Sequence, residues 1–359
     1  MQAFFCNLKK IFVSIDIIVR NIIIYILSCG KYSKNNRFCQ RVAGMIFDNS
    51  LKNVIITAYE NETDVFLRMN PPRPQELAYD NTGTAVFMPG GFPCNESSSF
   101  YDIRRLGDEA FRRELSENNV KRLIVLFAEC ADKAEYGYRE AFGWIGEMRA
   151  EVTHFIQVVA FFSPASDSFG VCRELFGSGD VICIGEKELP EADAFCTASP
   201  KAKFYQTALL AEKYAFKKSA VYFNSREEAR SFACFLQNRG TRCAYADGSL
   251  SHEELRENVK KFAEGNVNIL VATKAAIPVL YFRPPEKAVF CGVPFSLSHL
   301  SRCAAFLENE KPFVIYCEED IKRNKKIIAS FSEKLSDGEI SQLRTARLEE
   351  MVKMLNTKA

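Results

Sequence analysis

Residues 219–273 read "SAVYFNSREEARSFACFLQNRGTRCAYADGSLSHEELRENVKKFAEGNVNILVAT". The runs "SAVYF" (219–223) and "NILVA" (268–272) are short and rich in branched aliphatics, as buried parallel strands are. "RCAYA" (242–246) reads as a third strand. Between them, Ser225 followed by Glu228 and Ser251 followed by Glu254 form two serine–glutamate capping boxes. Each opens an amphipathic helix, closed by Gly240 and Gly265 respectively. Short strands separated by helices of about 10–15 residues predict crossover units and a parallel sheet.

The same alternation extends outward. "FIQVVAFF" (155–162) and "DVICIG" (180–185) predict strands, with a helix over 167–176 between them. A helix is expected over about 201–216, and further strands at "KAVFCGV" (287–293) and "FVIYC" (313–317). Pro190 to Pro200 is polar and turn-rich, so it is read as the interdomain linker. The expected organisation is a basic N-terminal segment outside the core (1–59), a first domain (60–196), a second domain (197–335) and a C-terminal helix (336–359).

The chain has 359 residues, 47% of them apolar and 26% charged, which suits two soluble globular domains at about 150 residues each. Its net charge of +2 is unevenly spread: +6 over residues 1–59, −11 over 60–196 and +7 over 197–335. A basic second domain hints at an anionic partner. The 13 cysteines include no C-x-x-C pair and the chain has three histidines, so no zinc knuckle is read. Cysteines inside apolar runs, such as Cys183, Cys234 and Cys291, read as small hydrophobes of a protein in the reducing cytoplasm. The first glutamate is Glu60. Residues 11–29 are long enough to span a bilayer, but Asp16 and Arg20 lie in their middle at a cost of roughly 5–7 kcal/mol. A membrane anchor, a buried helix and an extension from an upstream start all remain open there.

A second stretch bears on chemistry. "RLIVLFAECADKAEYG" (122–137) carries an apolar run, Leu123 to Ala128, ending in a single acid, Glu129. Ligands of parallel α/β domains gather past the carboxyl ends of strands, where nucleotide chemistry wants an acidic cluster. Here the strand delivers Ala-Glu-Cys-Ala.

Residues 219–273 resemble the second RecA-like domain of superfamily two helicases: strand-N-S-R-E-helix, a G-S-L-S turn, R-x-x-x-x-x-F-x-x-G, then I-L-V-A-T. The resemblance is nearest to RecQ and extends over about residues 100–359. "AECADKAEYGY" lines up with a D-E-A-H box and the loop behind it, with Glu129 on the box's glutamate and Tyr136-Gly137 on the loop's aromatic–glycine pair. "VVAFFSPAS" (158–166) takes the place of the next motif. "TARLEEMVKML" (345–355) is similar to the helix leading into the RecQ zinc domain. The resemblance implies an α/β fold of tandem RecA-like parallel sheets with flanking helices, the first domain incomplete and the second complete. "MNPPRPQ" (69–75) and "MPGGFPC" (88–94) interrupt the region before the box, which is expected to hold an incomplete sheet or irregular packing.

ATP hydrolysis by such an enzyme needs a phosphate-cradling loop, a magnesium carboxylate, a water-activating glutamate and an arginine finger. The loop string, G-x-x-x-x-G-K followed by Ser or Thr, occurs nowhere in the chain. Ala128 stands at the magnesium-binding aspartate and Ala131 at the box histidine. Phe306 and Asn309 stand at the two arginines of the Q-x-x-G-R-x-G-R motif, and Tyr281 at the aspartate of the G-M-G-I-D turn. Losing five independent parts argues that hydrolysis is gone, with Glu129 a relic and no catalytic residue assigned. Cys130 reads as a packed thiol, since no histidine is placed to activate it.

By the same resemblance Asn224, Ser225, Arg226, Gly248, Ser249, Thr273 and Lys274 fall on phosphate-contacting loops. Hydroxyls, amides at helix starts and basic side chains are what phosphates want. Each also has a plain reading: Ser225 as an N-cap, Gly248 as a turn residue, Thr273 as a strand-end hydroxyl. Tyr136 and Tyr138 read as core or surface aromatics or as the remains of a base-sensing loop. Arg302, where the family has glutamine, reads either as reaching an anion or, by default, as part of a solvated helix face, and the 322–326 basic run reads as surface salt bridging. The expected protein is a RecQ-like helicase relative without ATP hydrolysis, acting as a single-strand nucleic-acid-binding or protein-interaction module. It needs no metal or cofactor. The alternative is an active ATP-dependent DNA helicase, or a subunit completed by a partner, which would use ATP and magnesium.

Overall fold

A computed structural model describes residues 54–57, 84–88, 100–118, 120–132, 139–151, 156–162, 190–280, 284–304, 307, 310–335 and 338–358. The expected helix at 167–176, the strand at 180–185, the 11–29 stretch, and Tyr136, Tyr138, Tyr281, Phe306 and Asn309 lie outside these residues. Among the described residues no helix is long and apolar enough to cross a membrane.

Two parallel sheets carry the fold. The first contains β1 (Val54–Thr57), β2 (Thr84–Met88), β3 (Phe100–Asp102), β4 (Arg122–Val125) and β5 (Gln157–Phe162), in the order β1-β5-β4-β2-β3. Helices α1 (Glu109–Glu117) and α2 (Arg139–Glu151) accompany it. The second contains β6 (Asp193–Cys196), β7 (Ser219–Phe223), β8 (Cys243–Ala246), β9 (Ile269–Thr273), β10 (Lys287–Cys291) and β11 (Phe313–Tyr316). Their order is β6-β11-β10-β7-β9-β8, with every pairing parallel. Its helices are α3 (Pro200–Lys213), α4 (Arg226–Asn238), α5 (His252–Ala263), the single turn α6 (Ile277–Leu280), α7 (Leu297–Ala304) and α8 (Glu318–Leu335), followed by α9 (Gly338–Lys358). Strands β7, β9 and β10 are buried along their whole length, which is why they read as continuous apolar runs.

Two expectations change. Residues 54–57 were placed outside the core, yet "VIIT" pairs with β5 in register Val54 to Val159. Its β-branched residues are strand formers, and the basic composition of the longer segment masked them. The linker at 190–200 and the boundary at 196 also move, because Asp193–Cys196 pairs with Phe313–Tyr316 and starts the second sheet. As an edge strand, mostly exposed, it needs no long apolar run, so its composition resembles a loop. Of the two readings of the proline-interrupted region before the box, the sheet is the one found: it supplies β2 and β3 to the first sheet.

The caps divide in a similar way. Ser251 and Glu254 form the full reciprocal box. At α4 only half of the box forms: Ser225 accepts from the Glu228 amide, while the Glu228 carboxylate pairs with Arg323 of α8. Gly240 and Gly265 take the left-handed φ expected at helix ends.

One apolar core runs through both halves. It joins Leu123, Val125 and Phe127 of the first to Tyr222, Phe290, Leu300 and Cys303 of the second, and to Leu348, Met351 and Leu355 of α9. The predicted 345–355 helix is thus the buried stripe of α9, which packs along α8 and against α7.

Candidate functional site

The strand β4 stops three residues earlier than its apolar run. Leu126 donates its amide to the Phe87 carbonyl, and Phe127 turns into the left-handed region with φ 56°. That conformation is rare for a bulky residue and throws the chain into a 3-10 turn, Ala128–Ala131. Glu129 therefore stands on a tight turn beyond the strand end, completely buried.

Its partner is Arg302 of α7. The guanidinium donates from Nε to Oε1 and from Nη2 to Oε2, both at 3.1 Å. Arg302 is 1% exposed, and its Cζ lies 4.7 Å from the centre of the Phe127 ring. Fork-to-fork pairing of this kind is the strong geometry for a buried arginine and carboxylate. The expectation of a solvated helix face at Arg302 is thereby corrected: the anion it reaches is Glu129. α7 is buried on nearly every side, so no face of it was available to solvent.

A second pair lies beside the first. Asp132 donates its amide to the Glu129 carbonyl, closing the turn, and its carboxylate accepts from Arg347 Nη2 of α9 at 2.7 Å. Both side chains are almost fully buried, at 5% and 12% exposure. One turn before Arg302, His299 is buried with neither ring nitrogen hydrogen-bonded. Burial, aided by the charge of Lys274, pulls its pKa down to about 3, so it is neutral and apolar in effect. Cys130 is a buried thiol, as its sequence context indicated.

The other candidate residues collect at the carboxyl ends of three adjacent strands, β7, β9 and β8. Ser225 and Arg226 follow β7, Gly248 and Ser249 follow β8, and Lys274 follows β9. A Cβ placed on Gly248 would lie 3.3 Å from that of Ala275, so the last two loops touch. Asp247, which sequence reasoning passed over, organises this edge. Its carboxylate accepts from the Ser249 amide and hydroxyl, each at 2.7 Å, and from the Tyr245 hydroxyl. Burial would raise its carboxyl, but those donors and the charge of Arg226 hold it below its ordinary value. The same Tyr245 hydroxyl lies 3.2 Å from the Arg226 carbonyl, which shares the hydroxyl's one proton with Asp247 and ties the β8 loop to the start of α4. The Asp-Gly-Ser turn was visible as a turn; its aspartate's reach to the tyrosine two residues back was not.

The seven residues are not equivalent. Arg226, Gly248 and Ser249 are exposed, and Lys274 is half-buried with its Nζ 5.7 Å from the centre of the Phe295 ring. Ser225 caps α4 and Thr273 is buried. Asn224 faces inward, donating to the Val293 carbonyl at 2.7 Å and to Asn324 Oδ1 at 3.1 Å. It braces the loop from within. Among the described residues no group of His, Cys, Asp and Glu side chains is arranged to hold a metal.

Strands β7, β8 and β9 of the second sheet, with the loops at their ends, lie within a known module. Residues 201–277 match the helicase conserved C-terminal domain. The fold of the chain is similar to that of several solved helicases. It superposes on S. cerevisiae Dbp5 bound to RNA and ADP BeF3 with a TM-score of 0.58, at 12% identity, over 93% of this chain and 97% of that one. The DUF1998 helicase MrfA bound to DNA gives 0.58 at 13% identity, over 85% of this chain and 53% of that one. The DEAD-box helicase Mss116 bound to ssRNA and UDP-BeF gives 0.54 at 12%, over 83% and 65%. These likenesses show the fold: parallel sheets with flanking helices, arranged as in RecA-like helicase domains. No curated protein matches the sequence.

Proposed function

We propose that this chain is a nucleic-acid-binding relative of the superfamily two helicases, nearest to RecQ, that does not hydrolyse ATP. The observation that carries the reading is the buried Glu129–Arg302 pair. A glutamate that is to polarise an attacking water must meet solvent and metal, and this one is enclosed with its carboxylate held by a guanidinium. The neighbouring Ala128 and Ala131, and the missing phosphate-loop string, support the same conclusion. The RecQ relationship rests on the "AECADKAEYGY" stretch (128–138) and on the sequence at 345–355, while the 219–273 motifs point to the superfamily.

The binding half rests on the strand-end edge. Arg226, the Gly248-Ser249 turn and Lys274 offer two cations, a hydroxyl and a glycine on three adjoining loops, in a domain with an excess of basic residues. The solved neighbours named above are bound to RNA or DNA, which supports nucleic acid as the ligand class.

Two experiments test this. Single-stranded DNA and RNA oligonucleotides should bind the full chain with affinity falling steeply as salt rises. Arg226→Ala with Lys274→Ala should flatten that dependence by roughly 0.7 per lost phosphate contact, or about 1.4 for both. An unchanged slope removes the edge from the binding surface. In a separate assay, nucleotide hydrolysis in the presence of single-stranded DNA should stay at background, with wild type and Glu129→Gln indistinguishable. Turnover that requires single strands and drops in Glu129→Gln would falsify the loss of hydrolysis and restore the reading of an active ATP-dependent helicase.

A further inference from the structure

The two arginine–carboxylate pairs have a feature beyond silencing Glu129: both cross between the halves of the molecule. Glu129 and Asp132 sit on the 3-10 turn behind β4 of the first sheet. Arg302 comes from α7 and Arg347 from α9, on the side of the second sheet. The acidic side chains are three residues apart on one turn, and each meets a different helix. Around them the apolar core continues without a break from Val125 and Phe127 through Leu300 and Cys303 to Leu348 and Met351. Relative motion of two domains is the default where their interface is small and polar, and it is suppressed where the interface is a continuous packed core.

We propose that these two pairs and the core around them form a permanent joint. It holds the two RecA-like halves closed with no nucleotide between them, so that they offer one fixed surface to nucleic acid. The inference rests on the reading that the chain does not turn over ATP, and it adds what has replaced nucleotide as the element joining the halves. Each charged pair acts as a register pin. Opening or sliding the joint separates Glu129 from Arg302 and Asp132 from Arg347 together, whereas a shifted but closed arrangement leaves buried charges unpaired. Phe127 contributes twice: its left-handed backbone aims the turn at α7, and its ring lies against the Arg302 guanidinium.

The test is small-angle scattering of the full chain with and without ADP, beryllium fluoride and magnesium, joined to hydrogen exchange of the Cys130 and Asp132 amides, whose bonds close the turn. Wild type should give the same radius of gyration and the same protection in both conditions. Arg302→Gln with Arg347→Gln should enlarge the particle and lower protection of those amides by about tenfold or more. If that variant does not fold, the same two readouts on Arg347→Gln alone decide. A wild-type particle that contracts on adding nucleotide, or variants as compact and as protected as wild type, would overturn the joint. The outcome is separable from the functional reading: a chain that opens without hydrolysing ATP loses the joint alone, and a chain that stays closed yet hydrolyses ATP loses the functional reading.

Discussion

Arg302→Ala is expected to destabilise the closed protein by about 3–5 kcal/mol, read as a fall in the denaturant midpoint against wild type. The truncation removes the two guanidinium hydrogen bonds to Glu129, which is enclosed at 0% exposure, and takes the covering cation from the Phe127 ring. The cost is that of a buried charge deprived of its partner, which exceeds the net worth of the pair itself. Removing both charges together separates the two quantities. Glu129→Leu with Arg302→Met replaces the pair by apolar groups of similar volume and should recover most of the loss. Such replacements elsewhere have been neutral or stabilising. The cycle of Glu129→Leu, Arg302→Met and the double variant should then show a large favourable coupling, as groups in direct contact do. A near-additive cycle would mean that the carboxylate and guanidinium do not depend on one another, and the geometry at the turn would have to be rejected.

The second domain was legible because its elements obey local rules. Strands β7 and β9 are buried on both faces and so appear as unbroken apolar runs, and Ser225 and Ser251 cap helices where their sequence positions indicate. The elements that escaped notice are those whose identity is set by a distant partner. Strand β6 is a four-residue edge, and it is a strand because β11 lies beside it. Strand β1 is hidden in a basic segment and joins the sheet only through β5. The same holds at the candidate site. Glu129 was found by its place in a motif, and Arg226 and Lys274 by theirs. The partnerships of Glu129 with Arg302, 173 positions apart, and of Asp132 with Arg347, 215 apart, leave no local trace. An arginine on a short helix between two apolar runs looks like surface until its neighbours in space are known. The cue that was present is the helix itself: "LSHLSRCA" carries one charge in eight residues, which is sparse for an exposed helix.

Asp320→Ala should produce a comparable loss, about 3–5 kcal/mol, at a buried pair within the second domain. Asp320 opens α8 and pairs with Lys203 of α3, so the pair pins the first helix of the second domain to its last. Both side chains are nearly buried, at 9% and 5% exposure, and Asp320 also accepts from the Cys317 amide at 2.9 Å. Gly292, with φ 118°, brings its backbone against the pair, since a Cβ there would stand 3.6 Å from the Asp320 carboxylate and 3.8 Å from the Lys203 ammonium. Truncation removes the ammonium's carboxylate partner in a closed space and takes the acceptor from the Cys317 amide. Asp320→Asn keeps an oxygen for that amide and should cost less. The pair also predicts a pH dependence with a definite sign. Burial pulls the Lys203 ammonium down, but the negative charges of Cys291 when ionised, Asp320 and Glu228 more than offset it, so its pKa lies above the ordinary 10.5. A raised lysine pKa contributes stability that is fully present below 10.5 and is lost as pH rises through the higher folded value. Denaturant midpoints taken on either side of that range should therefore fall with rising pH in wild type, and fall less in Lys203→Met with Asp320→Asn, which has no ammonium to titrate. An equal decline in the two proteins would place the alkaline loss on other groups.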